Sequence, residues 1–301
     1  MPLHSLVVSG IAAADLAACR MLLRGGSRSF HAASLLLPAR IREPASALYA
    51  FCRVADDAID QSGTSSALAT LHSRLDFIYR GAPANDPIDR AFAAIVERHA
   101  VPRVLPDSLL EGFAWDLEAR RYRTIEDLHD YAARVAGCVG VMMTLVMGRR
   151  DAATLARASD LGVAMQLTNI ARDVGEDARA GRLYLPEDWL REVGIDPDAF
   201  VANPEFSPAL GVVIDRLLRH ADALYQRAAF GIAGLPADCR PAIHVARLLY
   251  AEIGNEVTRR GLDSVTHRAV VPGRRKIWLS LRAAIASVQL QSSNSAPVLA
   301  A

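Results

Sequence analysis

Two apolar segments of the chain carry acidic side chains at a spacing that only a helix brings onto one face. In the first, 45-ASALYAFCRVADDAIDQ-61, four polar residues follow one another at intervals of four, three and four positions: Tyr49, Arg53, Asp56 and Asp60. A helix aligns such residues along one stripe. Asp56 and Asp60 then lie one turn apart, where like charges destabilise a helix. Because the rest of the segment is apolar, the pattern predicts a largely buried helix with a cation beside its carboxylates.

The second segment, 151-DAATLARASDLGVAMQLTNIARDVGEDARAGRLYLPEDW-189, repeats the pattern. Its polar stripe has intervals of three, four and four positions: Gln166, Asn169, Asp173 and Asp177. Gln and Asn suit an apolar helix only where something needs their hydrogen bonds. The first stripe alone is also compatible with the solvated end of a helix and a surface ion pair at Arg53. The second stripe favours a shared cation site.

Oxygen ligands from paired carboxylates favour Mg²⁺, with Mn²⁺ as the alternative. Mg²⁺ keeps several waters and is usually held by one or two carboxylates plus substrate phosphate. Arg53 and Arg172 flank the two pairs, and 25-GGSRSF-30 offers backbone N–H groups, two hydroxyls and Arg28. That glycine-rich stretch is equally compatible with a simple helix-ending turn. Together these features predict a phosphorylated substrate bound through Mg²⁺ in an apolar helical cavity.

Helical periodicity runs through the chain, and strand alternation is almost absent. The predicted helices are 12–24, 39–62, 65–80, 86–100, 106–119, 126–147, 151–176, 207–233, 239–260 and 272–287. We therefore expect an all-α fold with a single catalytic domain over 1–290 and a disordered tail over 291–301. A division near residue 200, in the Pro-rich loop 193–206, is the alternative.

Composition excludes several classes of protein. The formal net charge is +1, so there is no general basic field for nucleic acid. The four cysteines are widely spaced, which argues against a disulfide framework or a zinc site. The uncharged run 135–148 is too short to span a bilayer, and the N-terminus lacks the positive region of a signal peptide. We expect a cytoplasmic protein.

The two acidic stretches, 53-RVADDAID-60 and 166-QLTNIARDVGEDARAGRLYLP-186, resemble the aspartate-rich motifs of the squalene/phytoene synthase family. Members join two isoprenoid diphosphates head to head in an all-α isoprenoid-synthase bundle around a central apolar cavity. The resemblance extends over nearly the whole chain, through 27-SRSFHAASLLLP-38, 131-YAARVAGCVG-140, 238-DCRPAIHVARLLYAEIG-254 and 263-DSVTHRAVV-271.

Within the family, HAASLLLP, DCRPAI and DSVTHRAVV are most similar to bacterial members that form phytoene. This implies a Mg²⁺-dependent prenyltransferase of carotenoid biosynthesis, which converts two geranylgeranyl diphosphates through prephytoene diphosphate to 15-cis-phytoene. No NADPH is expected. Because phytoene is insoluble, the resemblance also implies peripheral contact with the inner face of the membrane for delivery of the product. Formation of squalene, dehydrosqualene or presqualene diphosphate from farnesyl diphosphate is the nearest alternative. An all-α metal-dependent pyrophosphohydrolase is an alternative of another class, but it would not need Gln166 and Asn169 in line with the acids.

The resemblance also implies roles for individual residues. The metal ligands are Asp56, Asp60, Asp173 and Asp177. The diphosphates are held by Ser27, Arg28, Ser29, Arg53, Arg172, Tyr250 and Arg268. The reaction centre is lined by Tyr131, Gln166 and Asn169, with Phe30 and Tyr49 as further substrate contacts. The Tyr131 hydroxyl or a diphosphate oxygen is expected to accept the final proton.

Some positions depart from the family pattern or lie beside the stripes. Ala133 and Arg134 replace an aromatic residue or His, so the pocket wall there is uncertain from sequence. Ala171 replaces Leu, which leaves either space or a packing defect near the metal face. Asp57 and Glu176 lie one position off the stripes and are expected to be exposed or to support the ligands indirectly. Asp116 and Glu118 are expected on a solvated helix face, with a further acidic site as the alternative. The sequence does not indicate an oligomeric state.

Overall fold

The structure, a computed structural model, describes residues 10–275 and Trp278, and in this part of the chain every regular element is a helix. The elements are α1 (Ala13–Gly26), α2 (Arg28–Ser34), α3 (Ala39–Ser62), α4 (Ser65–Tyr79), α5 (Pro87–His99), α6 (Val104–Leu117), α7 (Ile125–Ala132), a π-helical turn (Ala133–Gly137), α8 (Cys138–Val146), α9 (Ala152–Arg179), α10 (Glu187–Glu192), α11 (Pro197–Ala202), α12 (Pro208–Ile232) and α13 (Arg240–Arg259).

The long helices match the predicted ones to within a few residues, and the differences are local. Three short helices, α2, α10 and α11, were not predicted, and α11 lies inside the predicted loop 193–206. The predicted helix 126–147 is interrupted by the π-helical turn. Most of the predicted helix 272–287 and all of the tail 291–301 lie outside the described residues. The domain boundaries therefore stay a prediction.

Local capping sets where the helices that carry the site begin. The Asp151 side chain accepts a hydrogen bond from the Thr154 backbone N–H at 2.9 Å and so starts α9. Ser207 caps α12 in the same way through Leu210, and Pro208 occupies its first turn, where no backbone donor is required. These caps fix the ends of the two helices on either side of residue 200, which pack against each other.

The buried side chains form two clusters, one on each side of the chain's main cavity. One is built chiefly from α1, α3, α4, α5, α6 and α8. The other is built chiefly from α7, α9, α12 and α13. On α9, Leu167 and Ala171 are fully buried in the second cluster. Ala171 therefore packs in the core and lines neither of the chain's two cavities.

Helix α8 carries no charged side chain and lies within the uncharged run 135–148, which the sequence predicted to be a helix. Within the described residues, no helix combines the length and the apolarity that a bilayer crossing requires.

Candidate active site

Two adjoining cavities lie between the two core clusters. The larger has a volume of about 670 Å³ and walls that are mostly apolar. The smaller has a volume of about 150 Å³ and is rich in carboxylates. Six residues line both cavities and mark their junction: Asp56, Phe113, Asp116, Tyr131, Gln166 and Asn169. The arrangement is an apolar chamber with a single acidic end.

The acidic end brings the two sequence stripes face to face. All four predicted metal ligands, Asp56, Asp60, Asp173 and Asp177, line the smaller cavity. In each pair, one carboxylate is neutralised by arginine. Asp60 Oδ1 accepts from Arg182 at 2.8 Å. Asp173 Oδ1 accepts from Nε of Arg172 at 2.7 Å and from Nε of Arg268 at 2.8 Å.

The other carboxylate of each pair is less well compensated. Burial, followed by repulsion from Asp60, raises the pKa of Asp56 to about 6, although Arg53 opposes the shift. Burial, followed by repulsion from Asp173, raises the pKa of Asp177 to about 7, and Arg182 opposes it. Asp56 is 45% exposed, but it opens onto the cavities and not onto a flat surface. The site therefore holds carboxylates whose charge lacks a full counter-charge from the protein.

Two glycines allow the segment after α9 and the segment after α13 to approach these carboxylates. Gly181 has a φ of +76°, and this turn lets the Arg182 N–H donate to the Asp177 carbonyl at 2.9 Å, which directs the arginine back to the site. A side chain on Gly175 would meet the Cα of Val265 at 2.6 Å. The close approach at Gly175 places the loop that carries Arg268 directly beside α9.

Asp116 corrects the sequence prediction, because it lies in the site and not on a solvated face. Its carboxylate accepts hydrogen bonds from the hydroxyls of Tyr131 at 2.9 Å and Tyr184 at 2.7 Å. Burial raises its pKa, while these two hydrogen bonds oppose the rise. Glu118 is exposed, as predicted. Because Tyr131 donates its proton to Asp116, its hydroxyl oxygen can only accept further hydrogen bonds from the cavity.

Residues of α2, α3 and α13 form one part of the wall of the larger cavity. The Ser27 side chain caps α2 by accepting from the Phe30 N–H at 3.2 Å. The ring of Phe30 lies 5.1 Å from that of Tyr250 and 6.1 Å from that of Tyr49. Gly26 makes room for Tyr49, since a Cβ there would lie 3.2 Å from the Tyr49 Cζ. Burial raises the pKa of Tyr250 to about 12, against the effect of Arg172.

Every predicted site residue whose side chain the structure describes lines one of the two cavities. Only the side chain of Arg28 falls outside the description, although its backbone begins α2. Sequence reasoning missed Arg182 and Tyr184 and misplaced Asp116. Arg182 bonds to Asp60, 122 residues away, and Tyr184 bonds to Asp116, 68 residues away, while Asp116 also bonds to Tyr131, 15 residues away. Helical periodicity in the sequence does not reveal contacts over such separations.

The residues beside the stripes support the site indirectly. Asp57 lines neither cavity, and its carboxylate holds the Arg53 guanidinium at 2.6 Å. Glu176 is exposed and lies 3.5 Å from Arg268. Arg134 points away from the chamber. Its guanidinium lies 4.3 Å from the ring centre of Trp115, and its Nε lies 3.1 Å from Glu111.

The donor set fits a hard divalent cation that is shared with a diphosphate. All the candidate ligands are carboxylate oxygens, the donors that Mg²⁺ prefers. Among the described residues, no three His, Cys, Asp or Glu side chains group closely enough to hold a metal ion by themselves.

Comparisons with known proteins agree with this geometry. The sequence model of the squalene/phytoene synthase family matches residues 23–276. A phytoene synthase of Rhodobacter capsulatus is 55% identical over 281 residues, which cover 92% of this chain and 83% of that protein. A 15-cis-phytoene synthase of a Paracoccus species is 44% identical over 264 residues, 84% of this chain and 86% of the relative.

Among solved structures, the crystal structure of a dehydrosqualene synthase in complex with a ligand superposes with a TM-score of 0.84. It is 31% identical and covers 93% of this chain and 97% of its own. The predicted all-α isoprenoid-synthase fold is thereby confirmed.

Proposed function

The chain belongs to the squalene/phytoene synthase family, and we propose that it is a prenyltransferase that condenses two geranylgeranyl diphosphates to 15-cis-phytoene. The reaction would proceed through prephytoene diphosphate with release of diphosphate. One observation carries the proposal: an apolar chamber of about 670 Å³ opens at one end into a cavity lined by four aspartates and their arginines. The phytoene synthases at 55% and 44% identity support the choice of product.

The arginines would stabilise the diphosphate as it leaves. Arg53, Arg172 and Arg268 line the chamber at its acidic end, where negative charge develops on the leaving group. Fixed cations in a partly dehydrated site stabilise such charge without reorganisation. Ser27 and Ser29, at the start of α2, would add hydroxyl donors.

Asp56, Asp60, Asp173 and Asp177 would hold Mg²⁺, with Mn²⁺ as the alternative. The cation, when bound, supplies Lewis-acid stabilisation of the diphosphate oxygens. The high pKa values of Asp56 and Asp177 support this assignment, since they reflect carboxylates without a full counter-charge.

The chamber walls would protect the carbocation from water. Val135, Val139 and Met143 line it from the π-helical turn and α8, and Leu161 and Met165 line it from α9. Tyr131 lines both cavities, and its hydroxyl donates its proton to Asp116 at 2.9 Å, so its oxygen would stabilise positive charge nearby. We propose that the proton lost at the end goes to a diphosphate oxygen or to Tyr131, whose own proton would then pass to Asp116.

The hydrocarbon product has to leave for a membrane, so we include peripheral contact with the inner face of the membrane in the proposal. Two groups of exposed apolar side chains support it. Phe230 is 83% exposed and precedes the cavity residue Gly231. Leu35 and Leu36 are 57% and 41% exposed and lie between the cavity residues Ser34 and Leu37.

The proposal is tested by incubating the purified protein with Mg²⁺ and either geranylgeranyl or farnesyl diphosphate, with and without NADPH. We expect a C40 hydrocarbon from geranylgeranyl diphosphate, independent of NADPH, with two inorganic diphosphates released per product. Release of monophosphate would indicate a hydrolase. A C30 product in preference to C40 would indicate the farnesyl-specific activity, and no hydrocarbon from either substrate would contradict both.

A further inference from the structure

Helix α9 runs along the whole length of the larger cavity. Its cavity-lining residues form an unbroken stripe from Thr154 and Arg157 at one end to Asn169 and Arg172 at the other. The eighteen residue-to-residue steps from Thr154 to Arg172 rise about 27 Å along a helix axis. The middle of the stripe is apolar or small, and includes Ala158.

The end of the cavity remote from the carboxylates is closed by α9 and α12. Arg157 lines this end, and its guanidinium is held by Asp160 at 2.7 Å. The backbone of α12 lies directly against it, because a Cβ on Gly231 would be 2.7 Å from the Arg157 Cγ. The contact with Gly231 leaves no space for the Cβ and Cγ of Arg157 to move toward α12. Arg157 therefore forms the floor of this end together with Thr154, which lies about one turn further along α9.

One turn of an α-helix rises by nearly the same length as one extended isoprene unit. One turn rises 5.4 Å, and the four main-chain carbons of an isoprene unit, joined by bonds of about 1.5 Å, extend roughly 5 Å. The polar reference point is Asn169, which lies at the junction of the two cavities. From Asn169 to Arg157 the axis rises about 18 Å, close to the roughly 19 Å of four extended isoprene units. Three units, roughly 14 Å, end about one turn short of the floor.

We propose that α9 measures the prenyl chain, and that Ala158 admits the fourth isoprene unit in the space that Arg157 closes. This inference rests on the proposed function and adds to it a residue that selects C20 over C15 chains. Ala158 faces the cavity and has the smallest side chain that a non-glycine residue allows. A larger side chain there would occupy the place of the terminal unit and leave the first three unaffected.

The test compares Ala158→Phe with Ala156→Phe. Ala156 lies on the exposed side of the same helix and lines neither cavity, so it is a matched control. Each protein receives equimolar geranylgeranyl and farnesyl diphosphate with Mg²⁺, and the C40, C35 and C30 hydrocarbons are quantified by mass spectrometry. We expect Ala158→Phe to shift the ratio of C30 to C40 products by at least about tenfold toward C30, and Ala156→Phe to keep the wild-type ratio.

An unchanged ratio of C30 to C40 products in a folded and active Ala158→Phe protein would overturn only the proposed selection of chain length by α9 and Ala158. Failure of the wild-type protein to make any C40 hydrocarbon would instead overturn the proposed function. If Ala158→Phe does not fold, as judged by circular dichroism, Ala158→Val and Ala158→Leu replace it. The ratio should then rise in order of side-chain volume, and the absence of that order would overturn the proposal.

A second readout needs neither metal nor turnover. Geranylgeraniol and farnesol lack the diphosphate, so their binding reports the apolar chamber directly. We expect Ala158→Phe to weaken the binding of geranylgeraniol by about tenfold and to leave farnesol unchanged. An equal weakening of the binding of both alcohols would show general damage to the chamber and would overturn the proposed selection of chain length.

Discussion

Nη2 of Arg182 donates a hydrogen bond to Oδ1 of Asp60 at 2.8 Å, and so joins the segment after α9 to the end of α3. Burial by itself disfavours the charge on Arg182, but the hydrogen bond to Asp60 keeps its pKa above the usual value. The arginine therefore stays charged at the acidic end of the chamber, where it connects the two helices that carry the aspartate pairs.

Loss of this connection should slow the reaction. We expect Arg182→Ala to lower kcat by about 10- to 100-fold, since a fixed cation near the leaving diphosphate is removed. Arg182→Lys should restore part of the rate by keeping the charge. Arg219→Ala is the control, because Arg219 is 79% exposed in a surface pair with Asp215. Equal rates for Arg182→Ala and the control, measured in steady state, would contradict a role for Arg182.

The metal assignment predicts a sharp contrast between neighbours on α9. Asp177→Asn should lower turnover by about a thousandfold or more while the protein stays folded, because an oxygen ligand of full charge is lost. Glu176→Gln removes the same charge one position away, at an exposed side chain, and should retain most activity. Turnover is measured with saturating substrate over a series of Mg²⁺ concentrations. A fully active Asp177→Asn protein would refute the assignment.

The tyrosine cluster offers a matched pair of stability measurements. Tyr184→Phe removes a 2.7 Å hydrogen bond to Asp116 and should lower the free energy of unfolding by about 1 kcal/mol. The hydroxyl of Tyr122 is buried and has no hydrogen-bond partner among the described residues, so Tyr122→Phe should be neutral or stabilising. Urea denaturation of both variants gives the comparison, and an equal loss in the two would contradict it.

The glycine that seats the Arg268 loop should be sensitive to a single methyl group. In Gly175→Ala the new Cβ would meet the backbone of Val265, so the loop must move and Arg268 should lose its position at Asp173. We expect kcat to fall about tenfold or more with the helical circular dichroism unchanged. Gly273→Ala is the control, because nothing lies within 4 Å of a Cβ there. Normal activity in Gly175→Ala would show that the loop is not needed in this position.

Acid stability should depend on Glu252, whose side chain is 3% exposed. Burial by itself raises its pKa, but hydrogen bonds from Arg275, Asn255 and Arg259 outweigh burial and lower the pKa overall. A carboxyl group with a lowered folded-state pKa contributes stability above its unfolded pKa of about 4.3. That contribution is lost as the pH falls through the folded-state value.

The free energy of unfolding of the wild type should therefore exceed that of Glu252→Gln near neutral pH, and the gap should close below about pH 4.3. Urea denaturation from about pH 7 to about pH 3.5 measures it. Glu192→Gln removes a 58% exposed partner of Arg216 and should leave the pH dependence unchanged, since exposed ion pairs contribute little. A constant gap between wild type and Glu252→Gln would contradict the assignment.

The sequence predicted those parts of the site that follow from spacing along a helix. The stripe from Tyr49 to Asp60 and the stripe from Gln166 to Asp177 face the cavities because α3 and α9 are regular across them. The sequence could not predict that Asp116 leaves the solvated face, since that depends on hydroxyls of Tyr131 and Tyr184 brought from other helices.

The same distinction holds for the fold. Long amphipathic helices were predicted because many residues share one periodicity. Helix α2 has seven residues and α11 has six, which is too few for a periodicity to emerge from the turn residues around them. The π-helical turn was also missed, because no proline marks an interruption at Ala133–Gly137.

That π-helical turn determines which side of the following helix sees the chamber. On a regular helix, Tyr131 and Met147 would point about 160° apart, since sixteen residues exceed four whole turns by that angle. The turn at Ala133–Gly137 takes in one additional residue and reduces the difference to about 60°. Both side chains line the larger cavity as a result. One extra residue in this turn therefore rotates α8 relative to α7. As a result, the polar side chain of Tyr131 and the apolar side chain of Met147 face the same cavity from one continuous helical segment.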